Sequence, residues 1–185
     1  MKDLQIVRYP EPVLQKKAAR VARVTPEIRA FLDEMLATMR DDNGVGLAAP
    51  QVGVSLRIIV VEADEKVNTL LNPQIIASEG SDTGVEGCLS LPRLYGDVTR
   101  ASRVTVTGMN PRGKKITLSG EGLWARATQH EIDHLDGVLF IDRVIPDSLH
   151  WITGEKDEEG NFPSKPTSLE EAKRFFERQA MALRT

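Results

Sequence analysis

Three residues within five positions carry the densest chemistry of this chain. His130, Glu131 and His134 stand in Gln129-His130-Glu131-Ile132-Asp133-His134, an H-E-x-x-H pattern. On a helix, side chains four apart leave the same face one turn apart. Both imidazoles can then reach one metal ion at about 2.0–2.1 Å without strain. Glu131 is displaced round the helix from that row and can reach a water at the metal, where a general base is needed. The plainer alternative is a helix with two polar histidines on its surface. Two of the chain's three histidines at this spacing, with a glutamate between them, favour the metal site. His150, the third, has no such partner and reads as a polar loop residue.

A catalytic site of this kind takes three protein ligands plus a water. Glu155, Glu158 and Glu159 lie downstream, where some zinc proteases keep a glutamate ligand. Cys88 lies upstream, in Val85-Glu86-Gly87-Cys88-Leu89-Ser90-Leu91-Pro92. A single cysteine is more often a small buried hydrophobe. Gly84, Gly87 and Pro92, however, mark an irregular segment rather than a core strand, from which a thiolate can be presented to a metal. The residues alone leave three readings open: a site completed by Cys88, a zinc endopeptidase using His130, His134 and Glu155, and a binding module without catalysis.

The elements that must hold these residues are partly legible. Thr25 and Pro26 form a favoured helix start. Ile28, Phe31, Leu32, Met35, Leu36 and Met39 follow at helical spacing and make a buried stripe. Asp41-Asp42-Asn43-Gly44 breaks that helix, and Pro12 opens a shorter one. Residues 56–62 and 70–78 read as strands, with Ile58 to Val61 in the core. Residues 103–109 and 115–119 read as a strand pair joined by the turn signal Asn110-Pro111-Arg112-Gly113. A helix over 122–136, stopped by Gly137, carries the two histidines. Residues 168–183 read as an amphipathic helix with a capping box at Ser168 and Glu171 and a stripe of Leu169, Ala172, Phe175, Phe176, Ala180 and Leu183. A block of strands with helices before and after is α+β rather than alternating βαβ.

The totals agree with one catalytic domain over residues 1–185. That length buries a core without disulfides or a structural metal, so any metal is free to be catalytic. A net charge of −3 gives no field for general nucleic-acid binding. No run of about 18 apolar residues predicts a membrane span. The N-terminus shows no secretory signal, and one cysteine excludes an intrachain disulfide. The expected location is the cytoplasm, or an organelle after loss of a targeting segment.

Three segments converge on one family. Gly44-Val45-Gly46-Leu47-Ala48-Ala49-Pro50-Gln51 resembles the first motif of peptide deformylases, Glu86-Gly87-Cys88-Leu89-Ser90 the second, and Gln129–His134 the third, in the same order and at similar spacing. The resemblance runs from about Leu4 to Val144. It implies small antiparallel sheets around a central helix that carries the histidines. It also implies removal of the formyl group from the N-terminal methionine of nascent proteins, with release of formate. Cys88, His130 and His134 would be the metal ligands and Glu131 the general acid/base. The Gln51 amide and the Leu89 N–H would stabilise the oxyanion. Gly46 would hold the peptide in an extended pose. Val45, Glu86 and Leu123 would help form the methionine pocket.

One thiolate with two imidazoles suits Fe(II), Zn, Ni or Co rather than Mg or Ca. The resemblance favours Fe(II) in the cell. Formyl-methionyl peptides are the implied partners, with transient ribosome contact through the basic residues Lys173, Arg174, Arg178 and Arg184. Two features depart from the family pattern. Residues 146–167 read as an inserted loop or hairpin whose acidic stretch is a solvated face and whose Trp151 or Phe162 is available for a partner. Tyr95 stands near a position where some relatives place a substrate-contacting arginine.

Overall fold

The computed structural model describes residues 4–155, 160 and 162–183. Helix α1 (Pro26–Asp41) begins as expected: the Thr25 hydroxyl accepts the Ile28 N–H at 3.3 Å, and Pro26 fills the first turn. Leu32, Met35 and Met39 are buried along its inner face.

That face rests on an antiparallel sheet of β1 (Gly46–Ala48), β2 (Ile58–Ala63), β3 (Lys66–Glu79), β6 (Arg103–Met109) and β7 (Lys115–Glu121), in that spatial order. Strand β2 explains its own unbroken apolar run. Ile58 and Val60 pack with Met35 and Met39 of α1, whereas Ile59 and Val61 pack with Ala125 and Ile132 of helix α2 (Gly122–Leu135). A strand covered on both faces needs apolar residues at every position rather than alternately. Helix α2 is correspondingly buried over most of its surface, His130, Glu131 and His134 included.

The stop at Gly137 also holds. Gly137 has φ of 74°, its N–H bonds to the His134 carbonyl, and the Val138 N–H bonds to the Asp133 carbonyl. This is a Schellman arrangement, which uses up carbonyls that the helix end would otherwise leave bare.

A second antiparallel sheet orders β4 (Asp82–Cys88), β5 (Leu91–Arg100), β8 (His150–Ile152) and β9 (Ser164–Pro166). It corrects the reading of the cysteine segment. Cys88 ends a regular strand, and the irregularity is confined to a register shift between Gly87 and Cys88. The segment 146–167 contributes the β8–β9 hairpin. Trp151 faces inward there, 4.9 Å from the Phe175 ring and 5.5 Å from that of Phe176, so it serves the core rather than a partner. Both phenylalanines belong to α3 (Leu169–Ala182), capped by Ser168 and Glu171 as expected. Ala172 and Phe176 are buried, but Leu169, Phe175 and Leu183 are exposed, so the expected stripe is covered only at its centre. His150 is a strand residue stacked on Tyr95, not a loop residue. No helix among the described residues is long and apolar enough to cross a membrane.

Candidate metal centre

The tip of the β4–β5 hairpin meets the middle of α2, and there three ligand atoms come together. Those of Cys88, His130 and His134 all lie within 4.8 Å of one another. Cys88 Sγ stands 3.2 Å from His134 Nε2. Tetrahedral ligands about 2.0–2.3 Å from one ion are themselves about 3.3–3.6 Å apart, so this spacing accommodates a cation with little adjustment. His134 Nδ1 is buried with no hydrogen-bond partner. The residues therefore fit a metal, and the third donor atom in the group is Cys88 Sγ. Glu155 lies exposed beyond β8 and outside this group, while Glu158 and Glu159 fall outside the described residues.

The group opens into a cleft of about 690 Å³, within the usual range for a ligand site. Val45, Gly46, Gln51, Glu86, Leu89, Leu123 and Glu131 all line it with Cys88 and His130. Gln51 is buried. Its Oε1 accepts the Ala48 N–H at 2.8 Å, which orients the amide so that Nε2 donates to Cys88 Sγ at 3.4 Å. Glu131 is buried beneath Gly46, and its Oε2 has no hydrogen-bond partner. Burial pushes its carboxyl up to about 7. Gly46 has a structural role that the sequence did not reveal. A Cβ there would stand 2.5 Å from Glu131 Oε1, so the glycine is the space in which this carboxylate sits.

Glu86 lines the cleft, but its carboxylate is fully engaged. Arg100 donates to both of its oxygens, each at 2.9 Å, Arg126 donates at 3.0 Å, and His130 Nδ1–H donates at 2.9 Å. Against the opposing effect of burial, Arg100 and His130 hold this carboxyl down at about 2. The bond from Nδ1 fixes the His130 ring with Nε2 left for the ligand position, a common arrangement behind metal-bound histidines. Burial alone would lower the pKa of His130, but the bonds to Cys88 and Glu86 outweigh it and raise it well above the ordinary value. Burial and the His130 charge push His134 well below its own. Arg100 also donates to Asp133 at 2.5 Å, and Asp133 accepts two further bonds from Arg143.

The polypeptide deformylase family model matches residues 3–149. The chain belongs to the peptide deformylase family. A peptide deformylase of Desulfitobacterium hafniense is 52% identical over 140 residues, which are 76% of this chain and 93% of that relative. One from Halothermothrix orenii is 52% identical over 147 residues, 78% of this chain and 96% of its own length. Among solved structures, the peptide deformylase of Thermotoga maritima has a TM-score of 0.77 at 37% identity, over 79% of this chain and 100% of that one. The Synechococcus elongatus peptide deformylase, solved in complex with actinonin, has a TM-score of 0.75 at 41% identity, over 78% of this chain and 80% of that one.

In the lining of this deformylase cleft, sequence reasoning missed Val85 and Arg126, and behind it the buried Arg100–Asp133 pair. Val85 and Leu123 are both about half exposed, at 58% and 49%, and with Val45 they give the cleft several apolar side chains in one lining. A signal for Arg100 existed in the inward alternation of Leu94, Gly96, Val98 and Arg100 along β5.

Proposed function

We infer that this chain hydrolyses the N-formyl group of formylmethionyl peptides, releasing formate and a free methionyl N-terminus. The observation that carries the reading is Glu131: a buried carboxylate with an unpartnered oxygen, in the cleft lined by Cys88 and His130. Cys88, His130 and His134 would hold a divalent cation, which when bound would supply Lewis acidity, lowering the pKa of water towards about 7. Glu131 takes the proton from the attacking water and later delivers it to the leaving amine. A carboxyl raised to about 7 suits both duties. Gln51 Nε2, held in place through its own Oε1, and the Leu89 N–H meet the charge that grows on the formyl oxygen.

Strand β1 is an edge strand beside β2. The peptide adds along its free side at Val45 and Gly46, with the methionine side chain against Val45, Glu86 and Leu123. The thiolate and imidazoles suit Fe(II), Zn, Ni or Co, and Fe(II) is the ion proposed for the cell. A free thiol ligand fits a reducing compartment, hence the cytoplasm where nascent chains emerge. Residues 1–185 act as one catalytic domain in this reading.

The test is formate release from formyl-Met-Ala-Ser by protein prepared anaerobically with Fe(II). Activity should vanish in Cys88→Ala with loss of metal and in Glu131→Ala with metal retained. A metal-loaded but inactive parent chain would overturn the reading. Ribosome contact through α3 is a separate proposal. Lys173 lies 3.9 Å from Asp142, and Arg174 pairs with Glu170, which leaves Arg178 as the cation to test, Arg184 being outside the described residues. Arg178→Glu should weaken co-sedimentation with ribosomes, and unchanged sedimentation would remove this contact.

A further inference from the structure

The cleft has a far wall, and a part of the chain beyond residue 149 supports it. Tyr95 and Arg93 line the cleft from β5. Both are held by β8, which lies outside the segment matched by the deformylase family model. Tyr95 pairs with Gly87 on one side and with His150 on the other, and His150 pairs with Pro166, so the four residues form one row across the sheet. Directly paired residues project to the same face. The Tyr95 ring lies over Gly87, where a Cβ would come within 2.5 Å of it. From behind it is stacked by the His150 ring, with centroids 6.3 Å apart and planes inclined at 23°. The His150 ring is fixed in turn by donation from Nδ1–H to the Ser148 carbonyl at 2.9 Å. Independently, Arg93 Nε donates to the Ile152 carbonyl at 3.0 Å. Trp151, between these two β8 residues, points to the opposite face and anchors the strand on Phe175 and Phe176.

We propose that His150 is a positioning residue: through Tyr95 it sets the wall against which the peptide passes after its methionine, so that the β8 extension tunes recognition of the following residues. Tyr95 neighbours Gly87, one residue before the Cys88 ligand, and an extended chain rising about 3.3 Å per residue brings later residues, not the formyl group, past a wall one side chain away. The inference rests on the deformylase reading above.

The test compares formyl-Met-Ala with formyl-Met-Ala-Ser-Leu-Ala in parent, His150→Ala and His150→Phe proteins of verified metal content and thermal stability. In His150→Ala, KM for the pentapeptide should rise about three- to tenfold, the scale of one lost aromatic stack, with kcat unchanged. Both constants for the dipeptide should stay within about twofold of the parent's. His150→Phe should restore the pentapeptide KM, and in a Tyr95→Ala background His150→Ala should add nothing. Equal effects on both peptides, no effect on either, failure of the phenylalanine to restore KM, or additivity with Tyr95→Ala would each overturn the proposal. A parent chain that turns over neither peptide would instead overturn the function on which it rests.

Discussion

A methyl group on Gly46 would stand 2.5 Å from Glu131 Oε1 and 2.9 Å from its Cδ. The alanine variant must therefore move either the carboxylate or the strand that lies over it. Displacing a catalytic group by about 1 Å costs on the order of 10²-fold in rate. Gly46→Ala should lose about that much kcat while binding a full complement of metal, as steady-state kinetics with metal analysis would show. Glu86 gives a second prediction. Its carboxyl is held at about 2 when folded, against 4.5 ordinarily. Its stabilising effect is therefore complete above pH 4.5 and drains away as pH falls towards 2. Urea midpoints should fall more steeply with acid in the parent than in Glu86→Gln, and parallel pH profiles would contradict the assignment. Apart from Cys88 and Gln51, which the family resemblance supplied, the residues legible from sequence were those whose partners are near along the chain. His130 and His134 are four apart, and Thr25 and Ser168 each cap a residue three further on. The bonds from Arg100 span 14 positions to Glu86 and 33 to Asp133, and no local spacing reports such a pair.

At the scale of elements, β4 escaped notice because its glycines stand where neighbours cross them. A Cβ on Gly84 would stand 3.3 Å from the Arg126 guanidinium, and Gly87 lies under Tyr95. Glycine lowers strand propensity, so β4 resembles a loop until the side chains that need the room are visible. Residues 56–62 were recognisable from the unbroken run Ile58 to Val61, and 70–78 from the pairs Leu70-Leu71 and Ile75-Ile76, although β3 begins earlier, at Lys66. The end of α2 offers a direct test of how firmly its histidines are held. Gly137 combines a φ of 74° with a backbone approach so close that a Cβ would lie 2.8 Å from the Gln15 carbonyl carbon. Gly137→Ala should cost about 1–3 kcal/mol from the left-handed conformation alone, read as a lowered urea midpoint. An unchanged midpoint would contradict the strain assigned to this left-handed position.

For the whole molecule, the three proposed ligands come from two sheets' worth of structure. Cys88 belongs to the four-stranded sheet, whereas His130 and His134 ride on the helix packed against the five-stranded one. An ion bound by all three ties these halves together and favours the folded chain by mass action. At a free concentration 100 times Kd, that amounts to about 2.7 kcal/mol. Chelation should lower the melting temperature, replenishment should restore it, and Cys88→Ser should be far less responsive to either. Cys88 is also the chain's one cysteine, and it is half-buried at the edge of the cleft. A thiolate that coordinates an ion is withheld from alkylation. With Cys88 as a ligand the protein would carry its own occupancy gauge: maleimide uptake per chain should count the vacant sites in any preparation, with no background from a second thiol.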